Sequence, residues 1–168
     1  MTSLDLTHPT RIHIVGVGGA GMSAIAAVLV AMGHQVTGSD LRDGPGIDRL
    51  RASGVDVSIG HAPGNVDDAE LMAISTAIPA TNSERRAAEA RGLTVLRRAE
   101  ILAAIAATRR TIAVAGTHGK TTTSSMLALA LREAGFDPSF IIGGDVNEIG
   151  SGAAWTDDSD LFVVEADE

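Results

Sequence analysis

Three short stretches hold the residues whose types and spacing could do chemistry. The first is Gly16-Val17-Gly18-Gly19-Ala20-Gly21, which lies between a β-branched run and an Ala-rich apolar run. G-x-G-x-x-G between a strand and a helix is a phosphate-binding pattern. The first glycine permits a tight turn. Gly18 lets the backbone approach a diphosphate, and Gly21 lets helix and strand pack closely. Free N–H groups and the dipole at the helix start then attract the anion. Asp40 follows Gly21 by nineteen positions and closes a second apolar run, where it can accept hydrogen bonds from a ribose. The pattern alone admits NAD, FAD or a UDP-sugar.

The second stretch is Val114-Ala115-Gly116-Thr117-His118-Gly119-Lys120-Thr121-Thr122-Thr123. Its end matches the G-K-[ST] of a P-loop, but the position five before Gly119 is Val114 rather than glycine. Gly116 opens a loop that is shorter at its front. Gly116 and Gly119 free the backbone to aim N–H groups at phosphate oxygens. Lys120 supplies a point charge for the β- and γ-phosphates, and the Thr121 hydroxyl can ligate Mg²⁺. ATP or GTP is the ligand expected here. His118 either touches the nucleotide or shapes the turn.

The third stretch is Glu165-Ala166-Asp167-Glu168, which ends the apolar run 161–164. Acidic residues at a strand end can ligate Mg²⁺, and they can equally form a solvated turn; spacing alone favours the turn. Arg97-Arg98 could meet an anion, but a solvated pair is the expected reading. His13 reads as structural, and His34 and His61 share no ligand spacing.

The elements that must position these stretches alternate between strand and helix. Strands are predicted at 12–17, 34–40, 55–60, 70–78 and 93–97. Helices are predicted at 23–32, 47–53, from a cap at Asn82 or Ser83 through Arg91, and at 99–107. Polarity jumps at 108–111, and the grammar restarts with a strand at 111–115 and a helix at about 121–134. The segment FDPSFIIGG follows, and then a buried strand. This alternation predicts an α/β chain with a Rossmann-like parallel sheet at residues 1–109. The beginning of a P-loop ATPase-type α/β domain is expected at 110–168. Each motif falls at the carboxyl end of a strand, where such sheets hold ligands.

Composition narrows the classes of function. The 168 residues carry a formal net charge of −8, which argues against non-specific nucleic-acid binding. Hydrophobic residues make up 45% but aromatics only 2%, so Ala, Val, Leu and Ile must fill the core. There is no Cys, which removes disulfides and thiolate metal sites. The N-terminus lacks a signal-peptide pattern, and the longest apolar run, 24–32, is too short to span a bilayer. A cytoplasmic setting without membrane partners is expected. Residues 111–168 are too few to complete a nucleotide-binding domain, so a fragment of a longer protein is expected. Composition does not indicate an oligomeric state.

HIVGVGGAGMSAIA, VTGSD, AVAGTHGKTTT and VVEADE, in this order and spacing, resemble the Mur ligases of bacterial peptidoglycan synthesis. The resemblance implies a first domain for UDP-N-acetylmuramate, a central ATPase domain, and a C-terminal domain that helps bind the amino acid, here L-alanine. It implies activation of the muramyl carboxylate by ATP as an acyl phosphate, which the amine then attacks. By motif, Gly18, Gly19, Ala20, Gly21, Met22 and Ser23 would face the UDP diphosphate, and Asp40 the uridine side. Gly116, Thr117, His118, Gly119, Lys120, Thr121 and Thr122 would bind ATP. Lys120 would hold the phosphates as the catalytic cation, and Thr121 and Glu165 would sit on Mg²⁺. Two other readings compete: an NAD-dependent oxidoreductase built on the first glycine motif, and a non-catalytic nucleotide-binding module.

Overall fold

The computed structural model describes residues 4–146 and 151–166. The chain forms two compact units, Asp5–Leu102 and the residues from Ala103 onward.

The first unit is a five-stranded sheet flanked by helices. In chain order it comprises β1 (Arg11–Val15), α1 (Ala20–Ala31), β2 (Gln35–Asp40), α2 (Pro45–Ala52) and β3 (Asp56–Ile59). A 3₁₀ turn (Pro63–Val66), β4 (Leu71–Ile74), α3 (Ser83–Ala90) and β5 (Thr94–Arg97) follow, and the division between units falls within α4 (Arg98–Ala106). The strand order is β3-β2-β1-β4-β5, and every pairing is parallel. The order reverses beside β1, so β1 and β4 flank the topological switch point where such sheets open a crevice.

The residue pattern explains these elements. Ile12, Ile14 and Val15 on β1 are buried, as are all four residues of β4, the double-sided burial expected of inner parallel strands. Helix α1 buries Met22, Ile25, Ala26, Val28 and Leu29 against the sheet. On the other face, Val15, Val66, Met72, Ile74 and Ala88 form one apolar cluster, with Ile78, Leu93 and Val95 packed against it. Full burial of each large side chain contributes roughly 1.5–3 kcal/mol. Helix α3 starts at the predicted cap: the Asn82 side chain accepts hydrogen bonds from the N–H groups of Glu84 and Arg85, at 2.9 and 3.0 Å.

Strand β4 is shorter than the predicted 70–78. The chain turns after Ile74, with the Ile78 N–H donating to the Ser75 carbonyl at 3.0 Å. The apolar character of Ile78 serves packing against the cluster rather than strand pairing.

The second unit carries β6 (Arg110–Val114), α5 (Lys120–Glu133), β7 (Ser139–Val146), β8 (Ser151–Ala154) and β9 (Leu161–Glu165). The strand order is β6-β9-β7-β8. Pairings of β9 with β6 and β7 are parallel, but β7 and β8 are antiparallel, so this sheet is mixed where a parallel one was expected. Ala128, Phe140, Ile142 and Val163 form its core. Arg109 pins the segment after β8. Its guanidinium lies 3.8 Å over the Trp155 ring, donates to the Ser139 hydroxyl at 3.0 Å and reaches the Thr156 carbonyl at 2.5 Å. Among the described residues, no helix is long and apolar enough to cross a membrane.

Candidate functional site

The predicted diphosphate residues gather at the carboxyl end of β1. Gly16 and Val17 donate backbone hydrogen bonds to the Ser39 carbonyl, at 2.8 and 3.1 Å. Helix α1 begins at Gly19 with no side-chain cap, so Ala20, Gly21 and Met22 present their N–H groups at the positive end of the helix. Ser23 turns inward on the helix, its hydroxyl donating to the Ala20 carbonyl at 2.9 Å. A cleft of about 500 Å³ opens here, walled by Gly16, Gly18, Asp40, Ile47, His61 and Ile78 among others.

Asp40 lies at the end of β2, as predicted, and faces this cleft. Its Oδ2 accepts from the Gly18 N–H at 2.9 Å, and its Oδ1 from the Arg42 N–H at 3.2 Å. The carboxylate therefore shapes the glycine turn as well as lining the cleft. A Cβ on Gly18 would sit 2.8 Å from Asp40 Oδ2 and 3.1 Å from Ile47 Cδ1. The missing side chain at Gly18 thus admits Asp40 to the turn.

Gly21 has an unexpected neighbour. A Cβ there would lie 2.6 Å from Arg98 Cζ, so the space is filled by a guanidinium rather than by a strand. Arg98, the first residue of α4, is half-buried against Gly21, while Arg97 is exposed. The expected solvated pair is thus split: one arginine is solvated, and the other is packed against Gly21 of the first glycine turn.

The second glycine loop follows β6. Gly119 adopts φ 75°, a left-handed turn that favours glycine, and α5 starts from it without a side-chain cap. The first-turn N–H groups of Lys120, Thr121 and Thr122 are therefore presented at the helix start. Lys120 folds over the loop and donates from Nζ to the Gly116 carbonyl at 2.7 Å. Thr117 and His118 are exposed within the loop.

Glu165 ends β9, directly beside Val114 of β6. Its carboxylate accepts from the Gly143 N–H at 3.0 Å, the Ser124 hydroxyl at 3.3 Å and the Thr121 hydroxyl at 3.4 Å. Thr121 and Glu165, predicted separately as metal ligands, are thus brought together. One carboxylate and one hydroxyl suit Mg²⁺, which keeps several waters and takes its remaining oxygens from phosphates. Among the described residues, no three His, Cys, Asp or Glu side chains form a metal-binding cluster. Asp167 and Glu168 lie outside the described residues.

The profile of the Mur ligase family, catalytic domain, matches residues 11–110. The chain belongs to the Mur ligase family. It is 55% identical over 158 residues to UDP-N-acetylmuramate–L-alanine ligase from Rubrobacter xylanophilus, a match covering 94% of this chain and 35% of that protein. It is 51% identical to the protein of the same name from Saccharopolyspora erythraea, over 94% of this chain and 33% of that one. The chain therefore spans about a third of the length of these Mur ligases. Among solved structures, UDP-N-acetylmuramate:L-alanyl-γ-D-glutamyl-meso-diaminopimelate ligase from Neisseria meningitides superposes with a TM-score of 0.87 at 34% identity. That match covers 96% of this chain and 53% of that one. UDP-N-acetylmuramate–alanine ligase from Thermotoga maritima gives a TM-score of 0.81 at 26% identity, over 93% and 37% of the respective chains.

Sequence reasoning missed the surroundings of His61. This side chain walls the first cleft and bonds through Nδ1 to Glu84, a carboxylate with no exposure at all. Burial pushes the Glu84 pKa up, but hydrogen bonding within a shell of His13, Ser39 and Asn65 outweighs it and holds the group near 2. An Asn two residues before a Glu at a helix start signals a cap, but nothing in that signal points to burial.

Proposed function

We propose that this chain serves the ATP-dependent joining of L-alanine to UDP-N-acetylmuramate, an early step of peptidoglycan precursor synthesis. Residues 1–109 would bind the UDP-sugar, and 110–168 would begin the ATP-binding domain. The observation that carries this reading is the pair of uncapped helix starts, one in each unit, each at the carboxyl end of a sheet strand. The first faces a cleft with an aspartate at its edge and no lysine in the turn. The second has a lysine in its loop and a Thr–Glu pair 3.4 Å apart beside it. The names of the relatives that are about half identical to this chain favour L-alanine as the acceptor amine.

In this scheme Gly18, Gly19, Ala20, Gly21, Met22 and Ser23 hold the UDP diphosphate, with Asp40 toward the ribose. Gly116, Thr117, His118, Gly119 and Thr122 line the ATP phosphates. Lys120 turns from the Gly116 carbonyl to the β- and γ-phosphates and offsets the charge that moves during transfer. Thr121 and Glu165 would hold Mg²⁺, which would supply charge neutralisation to the phosphates. The muramyl carboxylate attacks the γ-phosphorus and ADP leaves. The amine of L-alanine then attacks the acyl carbon, phosphate departs, and the nitrogen sheds a proton as the amide forms. The ligand set implies a cytoplasmic setting, where ATP and the UDP-sugar are both present.

The test is calorimetric titration of the chain with UDP-N-acetylmuramate and, separately, with NAD. Saturable binding of the UDP-sugar and none of NAD is expected. NAD binding without UDP-sugar binding would return the first cleft to a dinucleotide and overturn the ligase reading.

A further inference from the structure

Beneath the first cleft, Glu84 gathers hydrogen bonds from two separate segments, the end of β2 and the loop 61–65. The Ser39 hydroxyl donates to its Oε2 at 2.5 Å, and His61 Nδ1 lies 3.1 Å from the same oxygen. Asn65 Nδ2 and the Ala62 N–H donate to its Oε1, at 2.5 and 3.2 Å. His13 Nε2 is 3.7 Å away on β1. Glu84 and Ser39 are fully buried.

The arrangement dictates where His61 carries its proton. Nδ1 has two neighbours, the Glu84 carboxylate and the Ser39 hydroxyl, the latter 3.0 Å away. An ionised carboxylate only accepts, and the serine has given its hydrogen to that carboxylate. Nδ1 must therefore be the donor. Among the described residues, no hydrogen bond reaches Nε2, and His61 is a wall of the cleft. The orienting carboxylate fixes one nitrogen and thereby assigns the chemistry of the other.

We propose that Glu84 is a positioning residue for nucleotide recognition. It locks His61 as the Nδ1–H tautomer, so that Nε2 stands as an acceptor for an N–H or O–H of the bound nucleoside. Ser39 ties this lock to the glycine turn, because its carbonyl receives the Gly16 and Val17 N–H groups. The role rests on the first cleft binding the UDP moiety.

The test combines a ring-nitrogen readout with a binding cycle. In ¹⁵N NMR of the wild-type chain, His61 is expected to show a protonated Nδ1 and a bare Nε2. UDP affinity, measured by calorimetry, is expected to fall about tenfold in Glu84→Gln and in His61→Ala, the ratio that one ordinary hydrogen bond is worth. The double variant is expected to bind no more weakly than His61→Ala alone. A merely structural Glu84 would instead weaken binding further in the His61→Ala background. An Nε2-protonated ring, unchanged affinity in Glu84→Gln, or full additivity overturns the proposal. If Glu84→Gln does not fold, the wild-type tautomer and the His61→Ala affinity decide. Absence of UDP binding by the wild-type chain removes the ligand reading of the cleft itself. UDP binding with an Nε2–H ring removes the role of Glu84 alone.

Discussion

The two glycine turns perform the same local task in unequal surroundings. After β1, the turn is held by the rest of its unit: Ser39 receives the Gly16 and Val17 N–H groups, and Asp40 receives that of Gly18. Strand β1 is buried from Ile12 to Val15, and a buried carboxylate secures the neighbouring loop. After β6, the loop is held mainly by its own lysine, through the 2.7 Å bond from Lys120 to the Gly116 carbonyl, and its residues are largely exposed. Strand β6 lies at a sheet edge with Ile112 38% exposed. A turn fixed by many partners suits a ligand used as a handle. A loop governed by one flexible cation suits a group that must be gripped while its charge is redistributed. Within the described residues, the two glycine turns thus differ in how many neighbours hold them, in a chain that spans about a third of its relatives' length.

Four substitutions and one condition should separate the turns. In the whole ligase, Lys120→Ala is expected to lower L-alanine-dependent ADP formation by at least about 10²-fold, since the proposed role of Lys120 is to offset the charge on the β- and γ-phosphates. UDP binding to the first unit should stay unchanged, and coupled-assay turnover together with calorimetry would check both.

Acid should attack the first turn's support. The folded pKa of Glu84 is depressed from 4.5 to about 2. Its contribution is therefore present above pH 4.5 and lost as pH falls toward 2. Integrated over that window the loss is roughly 3 kcal/mol. Denaturant titrations at stepped pH should show this loss in wild type and a much smaller one in Glu84→Gln.

Alanine at matched glycines should expose the difference in packing. Gly18→Ala forces a Cβ to 2.8 Å from Asp40 Oδ2 and should cost about 2 kcal/mol, with weakened UDP binding. Gly119→Ala meets no atom within 4 Å and should cost only about 1 kcal/mol of left-handed strain. Thermal unfolding of both variants tests the order. The smallest effect is expected of Asn82→Ala, about 1 kcal/mol from loss of the α3 cap, with UDP affinity retained unless Glu84 shifts.

What could be read from the chain followed from local periodicity. The glycine positions, the strand before each and the apolar helix after each are short-range patterns, so β1, α1, β6 and α5 were legible. So was Asp40, because one crossover places it at the end of β2. Strand β8 was not legible: Ser151-Gly152-Ala153-Ala154 has no β-branched residue, and only its antiparallel pairing with β7 makes it a strand. Glu84 was not legible for the same reason at longer range. Within SERRAAEA it belongs to a charged helix, and its burial is created by Ser39, His61 and Asn65 from other segments. Arg98 was read as one of a solvated pair because the space at Gly21 that receives it appears only after folding.

The central claim is that each turn holds its own nucleotide. It is tested most directly by titrating UDP-N-acetylmuramate into the chain with and without saturating ATP and Mg²⁺. The account predicts one UDP-sugar site per chain with the same stoichiometry in both titrations, and a separate ATP site that Lys120→Ala removes. Competition between ATP and the UDP-sugar for a single site would contradict it.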